Sequence, residues 1–288
     1  MKEKLSQSSK TCCLFFFAIS FALFCVTNAG SAPTWQVLAP GMELTFVSIH
    51  RVKAIENGRI TVLRIDLHFW ELQAIGASST GGGTSHTARE WCDAQELTAA
   101  INAGMFKTDG KTHVGLMRFR EHINNGEVNK YQSVAAFDPR DPHLAPFHIF
   151  DLDSPQVTVQ SILKDYDSAV QNLRLIKHPG SNQWSQQSKM WSEAALAEDG
   201  AGRVLFIFSR TPLSMHDLNE ELLAAGIGIV TAQHLEGGPE AQLYVRVGSF
   251  KIEQFGSYET SFRENDSNSA PWPVPNVLGV RPRRLHSE

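Results

Sequence analysis

Short β-rich runs separated by turn residues recur along the chain, and this pattern decides the fold class. Met42–Lys53 and Arg59–Leu67 flank Asn57-Gly58, and Asn-Gly between two such runs is a strong signal for a tight hairpin. Further strands are predicted at Phe69–Ala77, Val114–Phe119, Ser133–Phe137, Asn172–Ile176, Trp191–Ala197, Arg203–Ser209, Ile227–Leu235, Gln242–Val247 and Asn276–Val280. Strands therefore outnumber helices.

Two segments predict helices between these strands. Ser214 and Asp217 have the spacing of a capping box, a leucine stripe follows, and Gly226 ends the run, which predicts a helix over Ser214–Ala225. A second helix is predicted over Ala88–Ala99. The fold class is therefore α+β: a mixed, strand-rich sheet core with a few flanking helices.

Length and composition are those of one globular body. The chain has 288 residues, of which 42% are hydrophobic, so a single large core can form. Neither a repeat nor a linker divides it, and one domain is predicted over residues 33–284. The net charge is −4 with no long run of one sign, which argues against a nucleic-acid partner, since such proteins present a basic face.

The first 29 residues have a different composition. Three lysines precede the apolar run Cys12–Val26, and Thr27-Asn28-Ala29 offers small residues for cleavage. The run is about 15 residues long, short of the ~20 that a spanning helix needs. We therefore expect a signal peptide cleaved near Ala29 and a periplasmic or secreted protein with no stable membrane partner. An uncleaved N-terminal anchor is the alternative.

Cysteine usage then becomes simple, because Cys92 is the only cysteine after Ala29. No disulfide can form within the mature chain. Cys92 lies in the predicted helix Ala88–Ala99 without a second cysteine or a histidine close in sequence, so a buried apolar role is expected over a catalytic thiol.

Two segments place a polar side chain and glycines at the end of a strand. The first is Ile101-Asn102-Ala103-Gly104-Met105-Phe106, and the second is Leu235-Glu236-Gly237-Gly238-Pro239-Glu240. Glycine lets backbone approach a ligand closely, and ligand sites favour such loops. The same pattern also occurs in tight turns whose polar side chains bind the backbone, so both interpretations stay open at this point.

A family resemblance favours the site. The first segment resembles the Ile-Asn-Gly-Gly-Phe-Phe motif of the phosphodiester glycosidases, and the second resembles their Leu-Asp-Gly-Gly-Gly-Ser-Ser motif. Pro275–Val280 resembles the closing strand of that family. The resemblance covers roughly Ala99–Pro282 and implies a hydrolase acting on the glycosidic bond of a sugar-1-phosphodiester, with a glycan phosphodiester as its partner.

The chain departs from the family motifs at several positions. Glu236 replaces the usual Asp, Glu240 and Ala241 replace two Ser, and Ala103 replaces the first Gly. The family often has Arg-Thr-Ala before its central strand, where this chain has Ser192-Glu193-Ala194. A carboxylate remains at Glu236 with a longer reach, whereas the hydroxyl groups and one cation are lost.

The resemblance implies roles for individual residues. Glu236 would be the catalytic carboxylate, acting as base or nucleophile, and Asn102 would position the substrate. The predicted substrate-binding residues are Gly104, Gly237, Gly238, Arg174, His178, Lys189, Arg210, His234 and Asn276, with Lys177 as a further phosphate partner. Glu193 and Asp66 are candidate second carboxylates. A solvated surface role is the alternative for each basic residue, and a salt-bridge or turn role for the two acids.

Other chemistries have weaker support. The chain has 11 histidines but no His-x-x-x-His or cysteine pair at ligand spacing, so we predict no metal ligands. A carboxylate-bound divalent cation stays open, and the cofactor is unknown. No Gly-x-Ser-x-Gly elbow supports a serine hydrolase. The alternative from another class is a non-catalytic module that binds glycan phosphate on the same fold.

Overall fold

The computed structural model describes residues 1, 33–50, 58–80 and 83–284. The chain divides into two compact units, Met1–Ser31 and Ala32–Glu288. All elements below belong to the second unit, and the predicted signal peptide lies outside the described residues. No helix in the described part of the chain is long and apolar enough to cross a membrane.

The described residues form eighteen strands, three α-helices and one short 3-10 turn. The strands are β1 (Gln36–Ala39), β2 (Met42–Ser48), β3 (Arg59–Ile65), β4 (Trp70–Gly76), β5 (Ala99–Asn102), β6 (Met117–Phe119), β7 (His122–Asn125), β8 (Ser133–Pro139), β9 (Phe147–Asp151), β10 (Tyr166–Asn172), β11 (Arg174–Lys177), β12 (Ser181–Asn182), β13 (Trp191–Asp199), β14 (Val204–Leu213), β15 (Ile229–Gly237), β16 (Gln242–Val247), β17 (Phe250–Phe255) and β18 (Asn276–Pro282). The helices are α1 (Ala88–Gln95), α2 (Val159–Asp165) and α3 (Met215–Ala224), and the 3-10 turn is Gly238–Glu240.

The strands build three antiparallel sheets. The largest has eight strands in the order β1-β2-β3-β14-β13-β15-β11-β12. The second has the order β7-β6-β10-β8-β9, and the third has the order β17-β16-β5-β18-β4. The third sheet gathers strands from distant parts of the chain, since Ile101 of β5 pairs with both Leu243 and Leu278.

The three sheets turn one face each toward a common core and carry a helix on the other. Side chains of all three sheets meet in this core, for example Leu63, Phe137 and Leu278. Helix α3 covers the outer face of the large sheet, α2 that of the second sheet, and α1 that of the third. The predicted strand-rich α+β class is confirmed.

The observed elements match the predicted ones in type better than in their boundaries. Helix α1 is capped by Thr87 and stops at Gln95, because Glu96 takes a left-handed conformation (φ 54°), so the predicted helix to Ala99 was wrong. Residues 99–102 form β5 instead. Strands β2 and β3 pair as a hairpin, but Asn57 of its predicted turn lies outside the described residues.

The prediction missed six strands, β1, β7, β9, β10, β12 and β17, and the helix α2. Helix α2 has seven residues, and its capping box uses Ser161 where the usual signal is Glu or Gln. Strand β15 extends through Gly237, two residues beyond the predicted end. Glu236 and Gly237 therefore lie inside a strand and not in the loop after it.

Cys92 lies where the sequence placed it, in α1. Its side chain is fully buried against Trp91 and the third sheet, and burial raises the pKa of its thiol. A buried thiol with a raised pKa is a poor nucleophile, so the structural role of Cys92 is supported.

Candidate active site at the end of strands β13 and β15

Strands β13 and β15 run side by side and end in a group of carboxyl side chains. Glu193 of β13 pairs with Gly237, and Ala194 pairs with Glu236. The register shifts between Ala194 and Ala195, which places one extra residue of β15 at this point. A bulge of this kind redirects side chains, and bulges are frequent beside active sites.

His234 and Glu193 form a buried pair in this group. The His234 Nδ1 atom lies 2.5 Å from the Glu193 Oε1 atom, and the two side chains are 6% and 1% exposed. The Trp191 Nε1–H donates to the other carboxyl oxygen of Glu193 at 2.5 Å. Both oxygens of Glu193 therefore have a donor, as a buried carboxylate requires.

The two pKa values in the pair follow from burial and from the partner. Burial raises the pKa of Glu193, and the neighbouring His234 opposes that rise. Burial disfavours the charged ring of His234, but Glu193, with Glu236 and Glu259, outweighs burial, and the pKa of His234 is raised. Burial thus opposes the charge on both members of the pair, and the contact between them favours it.

Glu236 lies beside this pair and is half-buried. Its one hydrogen bond comes from the Gly237 N–H at 3.2 Å. Burial, with the nearby carboxyl groups of Glu240 and Glu259, raises the pKa of Glu236 to about 8, although His234 pulls it down. Glu236 is therefore mostly protonated at neutral pH, so it can donate a proton or a hydrogen bond.

Two more carboxyl groups complete the cluster. Glu240 is the last residue of the 3-10 turn, and Glu259 comes from the segment after β17. Burial raises the pKa of both. Gly238 has φ 65°, and a side chain there would place its Cβ 2.6 Å from the Glu259 Oε2 atom. The absence of a side chain at Gly238 therefore lets Glu259 approach the turn.

A neighbouring residue also leaves no room for a side chain at position 237. A Cβ at Gly237 would lie 2.8 Å from the Trp191 Cδ1 atom. Trp191 is half-exposed, and its ring lies edge-on to His234 with 6.3 Å between the ring centroids. The two predicted glycines thus shape the site by making room for Trp191 and Glu259.

Asn102 holds the turn that carries Glu240. Its Nδ2 donates to the Glu240 carbonyl at 2.8 Å, and its Oδ1 accepts from the Gln242 N–H at 2.7 Å. The side chain is 1% exposed, so its amide serves the backbone of the neighbouring segment. This is the turn-binding role that the sequence left open, and substrate contact by Asn102 stays a prediction.

Gly104 and Asn276 have other neighbours in the structure. Gly104 has φ 146°, and a Cβ there would overlap both the His113 Nε2 and the Asn172 Oδ1 atoms. Asn276 is buried and donates to the Lys111 carbonyl at 3.1 Å. Neither residue contacts the carboxyl cluster.

The predicted phosphate partners are mostly engaged elsewhere. Arg174 is paired with Asp151 and Asp153, and Lys177 is paired with Asp153. His178 is exposed near the same acids, and its backbone N–H donates to the carboxylate of Asp151. The structure does not bring these three residues to Glu236, and so does not support them as site residues.

Arg210 and Lys189 also have other places. Arg210 is paired with Asp266 and donates to the Phe255 and Asn268 carbonyls, so it fastens the segment that carries Glu259. Lys189 is exposed, two residues before Trp191. Asp66 binds His68 and Glu193 binds His234, so of the two candidate second carboxylates Glu193 alone lies in the cluster.

Sequence reasoning missed Trp191 and Glu259. Glu259 has no motif, and an isolated bridge between Trp191 and Glu259 brings its segment to β13. The Ser192 hydroxyl makes the same connection, since its Oγ donates to the Arg210 carbonyl and accepts the N–H of Ser257. No pattern in the local sequence marks either residue as part of the site.

Metal binding finds no support in the cluster. Among the described residues, no group of three or more His, Cys, Asp or Glu side chains is arranged to hold a metal ion. A cavity of about 560 Å³ lies elsewhere, between Leu72, Phe137, Arg120 and Arg283, and holds none of the predicted site residues.

Comparison with known proteins places this geometry in a family. The phosphodiester glycosidase family model matches residues 95–281. No curated protein matches the sequence. The zebrafish N-acetylglucosamine-1-phosphodiester alpha-N-acetylglucosaminidase (NAGPA) catalytic domain auto-inhibited by pro-peptide is similar with a TM-score of 0.60 and 12% identity, over 88% of this chain and 87% of that chain. A hypothetical protein from Synechocystis has a TM-score of 0.60 and 13% identity, over 87% and 64%.

These two structures share the fold, and the family model covers Asn102, Glu193 and Glu236 with the strands that carry them. The chain belongs to the phosphodiester glycosidase family.

Proposed function

We propose that this protein is an exported hydrolase that cleaves the glycosidic bond of a sugar-1-phosphodiester, for example an N-acetylhexosamine phosphodiester of an envelope glycan. Family membership supports the reaction class. The lysines and the apolar run of the first 29 residues support export. The observation that supports this site most is the convergence of Glu236, Glu193 and His234 at the end of two neighbouring strands.

The raised pKa of Glu236 favours a proton donor. From its sequence context we expected Glu236 to act as base or nucleophile. With a pKa of about 8, however, the carboxyl group holds its proton in the resting protein at neutral pH. We assign it the proton that the departing phosphate oxygen receives as the bond to the anomeric carbon breaks. This role resembles that of the acid in ordinary glycoside hydrolysis.

The second half of the reaction needs a group that takes a proton from water. Attack of water on the anomeric carbon releases one proton, and the phosphate monoester leaves with the proton of Glu236. Glu259 is our candidate for the acceptor, because it comes from a different segment and faces His234, which favours its ionised form. A phosphodiester and water then give a free sugar and a phosphate monoester, and atoms and charge balance.

Asn102 acts through the turn in this proposal. Its two hydrogen bonds fix the Glu240 carbonyl and the Gln242 N–H, and this ties the Gly238–Glu240 turn to the end of β5. Glu236 and Glu240 keep their separation only while this turn is held. Asn102 therefore positions the substrate indirectly.

Hydrolysis of defined substrates tests the proposal. Purified mature protein is incubated with UDP-N-acetylglucosamine and with the methyl phosphodiester of N-acetylglucosamine-1-phosphate, and release of free sugar is measured. We expect turnover by the wild type, a loss of about 100-fold or more in kcat for Glu236→Gln, and none for Glu121→Gln, an exposed matched control. Wild-type rates for a folded Glu236→Gln variant would rule out the acid role.

The non-catalytic alternative has one observation in its favour. The predicted phosphate-binding cations Arg174, Lys177 and Arg210 are all engaged in ion pairs. A module that binds the glycan without cleaving it would show saturable binding of these diesters and no sugar release over the whole panel.

A further inference from the structure

A phosphodiester carries a negative charge, and the structure leaves few cations to meet it. Arg174, Lys177 and Arg210 are each paired with an aspartate, and the family's frequent Arg-Thr-Ala is Ser192-Glu193-Ala194 here. Lysine and arginine side chains have no described contact with Glu236 or Glu193. A histidine in the cluster can supply the positive charge in place of these three side chains.

His234 is the cationic side chain that the fold brings to the cluster. Its Nδ1 faces the Glu193 Oε1 atom at 2.5 Å, and its ring is 6% exposed. The Trp191 indole N–H holds the second oxygen of Glu193, so the carboxylate cannot rotate away from the ring. A carboxylate that binds one nitrogen of a histidine fixes the orientation of the ring and leaves the other nitrogen for a ligand.

The groups around His234 determine its charge. Glu193 reaches it from β13, Glu236 from β15 and Glu259 from the segment after β17, and all three carboxyl groups favour the imidazolium. Burial opposes the charge.

Glu236 adds little negative charge beside the ring at neutral pH. Its pKa of about 8 keeps the carboxyl group largely protonated. An anion that enters the cluster therefore meets the protonated Glu236 beside the imidazolium.

We infer that Glu193 is a positioning residue that holds His234 as an imidazolium, and that the Nε2–H of His234 binds the phosphate group of the substrate. This inference rests on the proposed function, because it uses the same site. It selects one of the predicted phosphate partners and gives Glu193 a role outside the chemical step.

The test measures binding separately from turnover. Nitrogen-labelled wild-type protein is titrated from pH 5 to 9 by NMR, with and without N-acetylglucosamine-1-phosphate, and uncharged N-acetylglucosamine serves as the control ligand. We expect the pKa of His234 to lie above that of an ordinary histidine and its Nε2 signal to shift with the sugar phosphate only. A ring that is neutral throughout this range, or a shift with both ligands, would overturn the inference.

A pair of variants then tests the role of Glu193 separately from that of His234. Glu193→Gln keeps the shape and the hydrogen-bond acceptor for Trp191 and removes the negative charge. We expect the pKa of His234 to fall by at least about one unit and the affinity for the sugar phosphate to fall by about tenfold or more at pH 7. Affinity for the uncharged sugar stays unchanged.

Glu198→Gln is the matched control, because Glu198 is also buried and binds His148 at 3.1 Å in another part of the large sheet. It should leave sugar-phosphate affinity unchanged. Should Glu193→Gln fail to fold, the wild-type titration alone decides.

The two proposals fail in different ways. Binding of the sugar phosphate to His234 without turnover of any diester contradicts the proposed function and leaves the inference intact. Turnover with a His234 that never responds to the sugar phosphate contradicts the inference and leaves the proposed function intact. Equal sugar-phosphate affinity of the wild type and Glu193→Gln also contradicts the inference.

Discussion

Replacing Glu236 by glutamine should stabilise the folded protein in a pH-dependent way. The carboxyl group has a pKa of about 8 when folded and 4.5 as the reference value, because the fold places it among buried and acidic neighbours. A group with a raised folded pKa contributes stability below its unfolded pKa and loses it as the pH rises through the folded value. The wild type therefore loses stability between about pH 4.5 and pH 8.

The size of this loss follows from the shift. At pH 7, about 2.5 units above its unfolded pKa, the carboxyl group is ionised in the unfolded chain but still protonated in the folded protein. This difference lowers the free energy of unfolding by about 3 kcal/mol. Part of the side chain touches water, and screening reduces the figure to roughly 2 kcal/mol. Glutamine is neutral at every pH, keeps an acceptor for the Gly237 N–H, and avoids this cost.

Thermal unfolding at two pH values measures the effect. For a body of about 250 residues, 2 kcal/mol corresponds to roughly 4 to 8 °C in Tm. We expect Glu236→Gln to melt higher than the wild type by this amount at pH 7 and by no more than about 2 °C at pH 5. The exposed control Glu121→Gln should match the wild type at both. Equal melting temperatures of Glu236→Gln and the wild type at pH 7 would refute the reasoning.

Three further predictions concern the same region. Gly104→Ala should lower the free energy of unfolding by about 3 kcal/mol or more in a urea titration, because φ is 146° and the added Cβ meets His113 and Asn172. The control Gly110→Ala, with φ 66° and open space around the added Cβ, should lower it by only about 1 kcal/mol. Asn102→Ala should cost roughly 2 to 3 kcal/mol, since two buried backbone groups lose their partner; unchanged urea unfolding would contradict this. Catalytic turnover should fall above about pH 8 as Glu236 loses its proton, and a rate that rises through this range would contradict the acid role.

The sequence predicted the strands better than the surroundings of the site. Apolar runs marked β13, β14 and β15, and the capping signal marked α3, because these patterns depend on neighbours in sequence. The end of α1 was missed, since the left-handed Glu96 and the pairing of Ala99 with Val245 and Val280 depend on distant residues.

The composition of the site could be predicted only in part. Glu236 and His234 were named because their segment resembles a family motif, whereas Trp191 and Glu259 meet them only through long-range pairing. Arg210 shows the reverse case, because it was named from the sequence but binds elsewhere in the structure. Arg210 reaches Asp266, 56 residues away, and this pairing leaves no trace in the local sequence. Charge alone therefore could not distinguish a phosphate-binding side chain from one that fastens a loop.

The place of β18 in the third sheet bears on how the chain reaches this fold. It is the last of the described strands, yet it lies between β5 and β4, and pairs with both. A chain emerging from the ribosome therefore exposes the unpaired edges of β4 and β5 until some 280 residues have appeared. Such edges recruit other strands, and non-local pairing of this kind closes slowly. Nascent chains of this protein should thus depend on being kept apart until synthesis passes β18, and a truncation before Asn276 should aggregate.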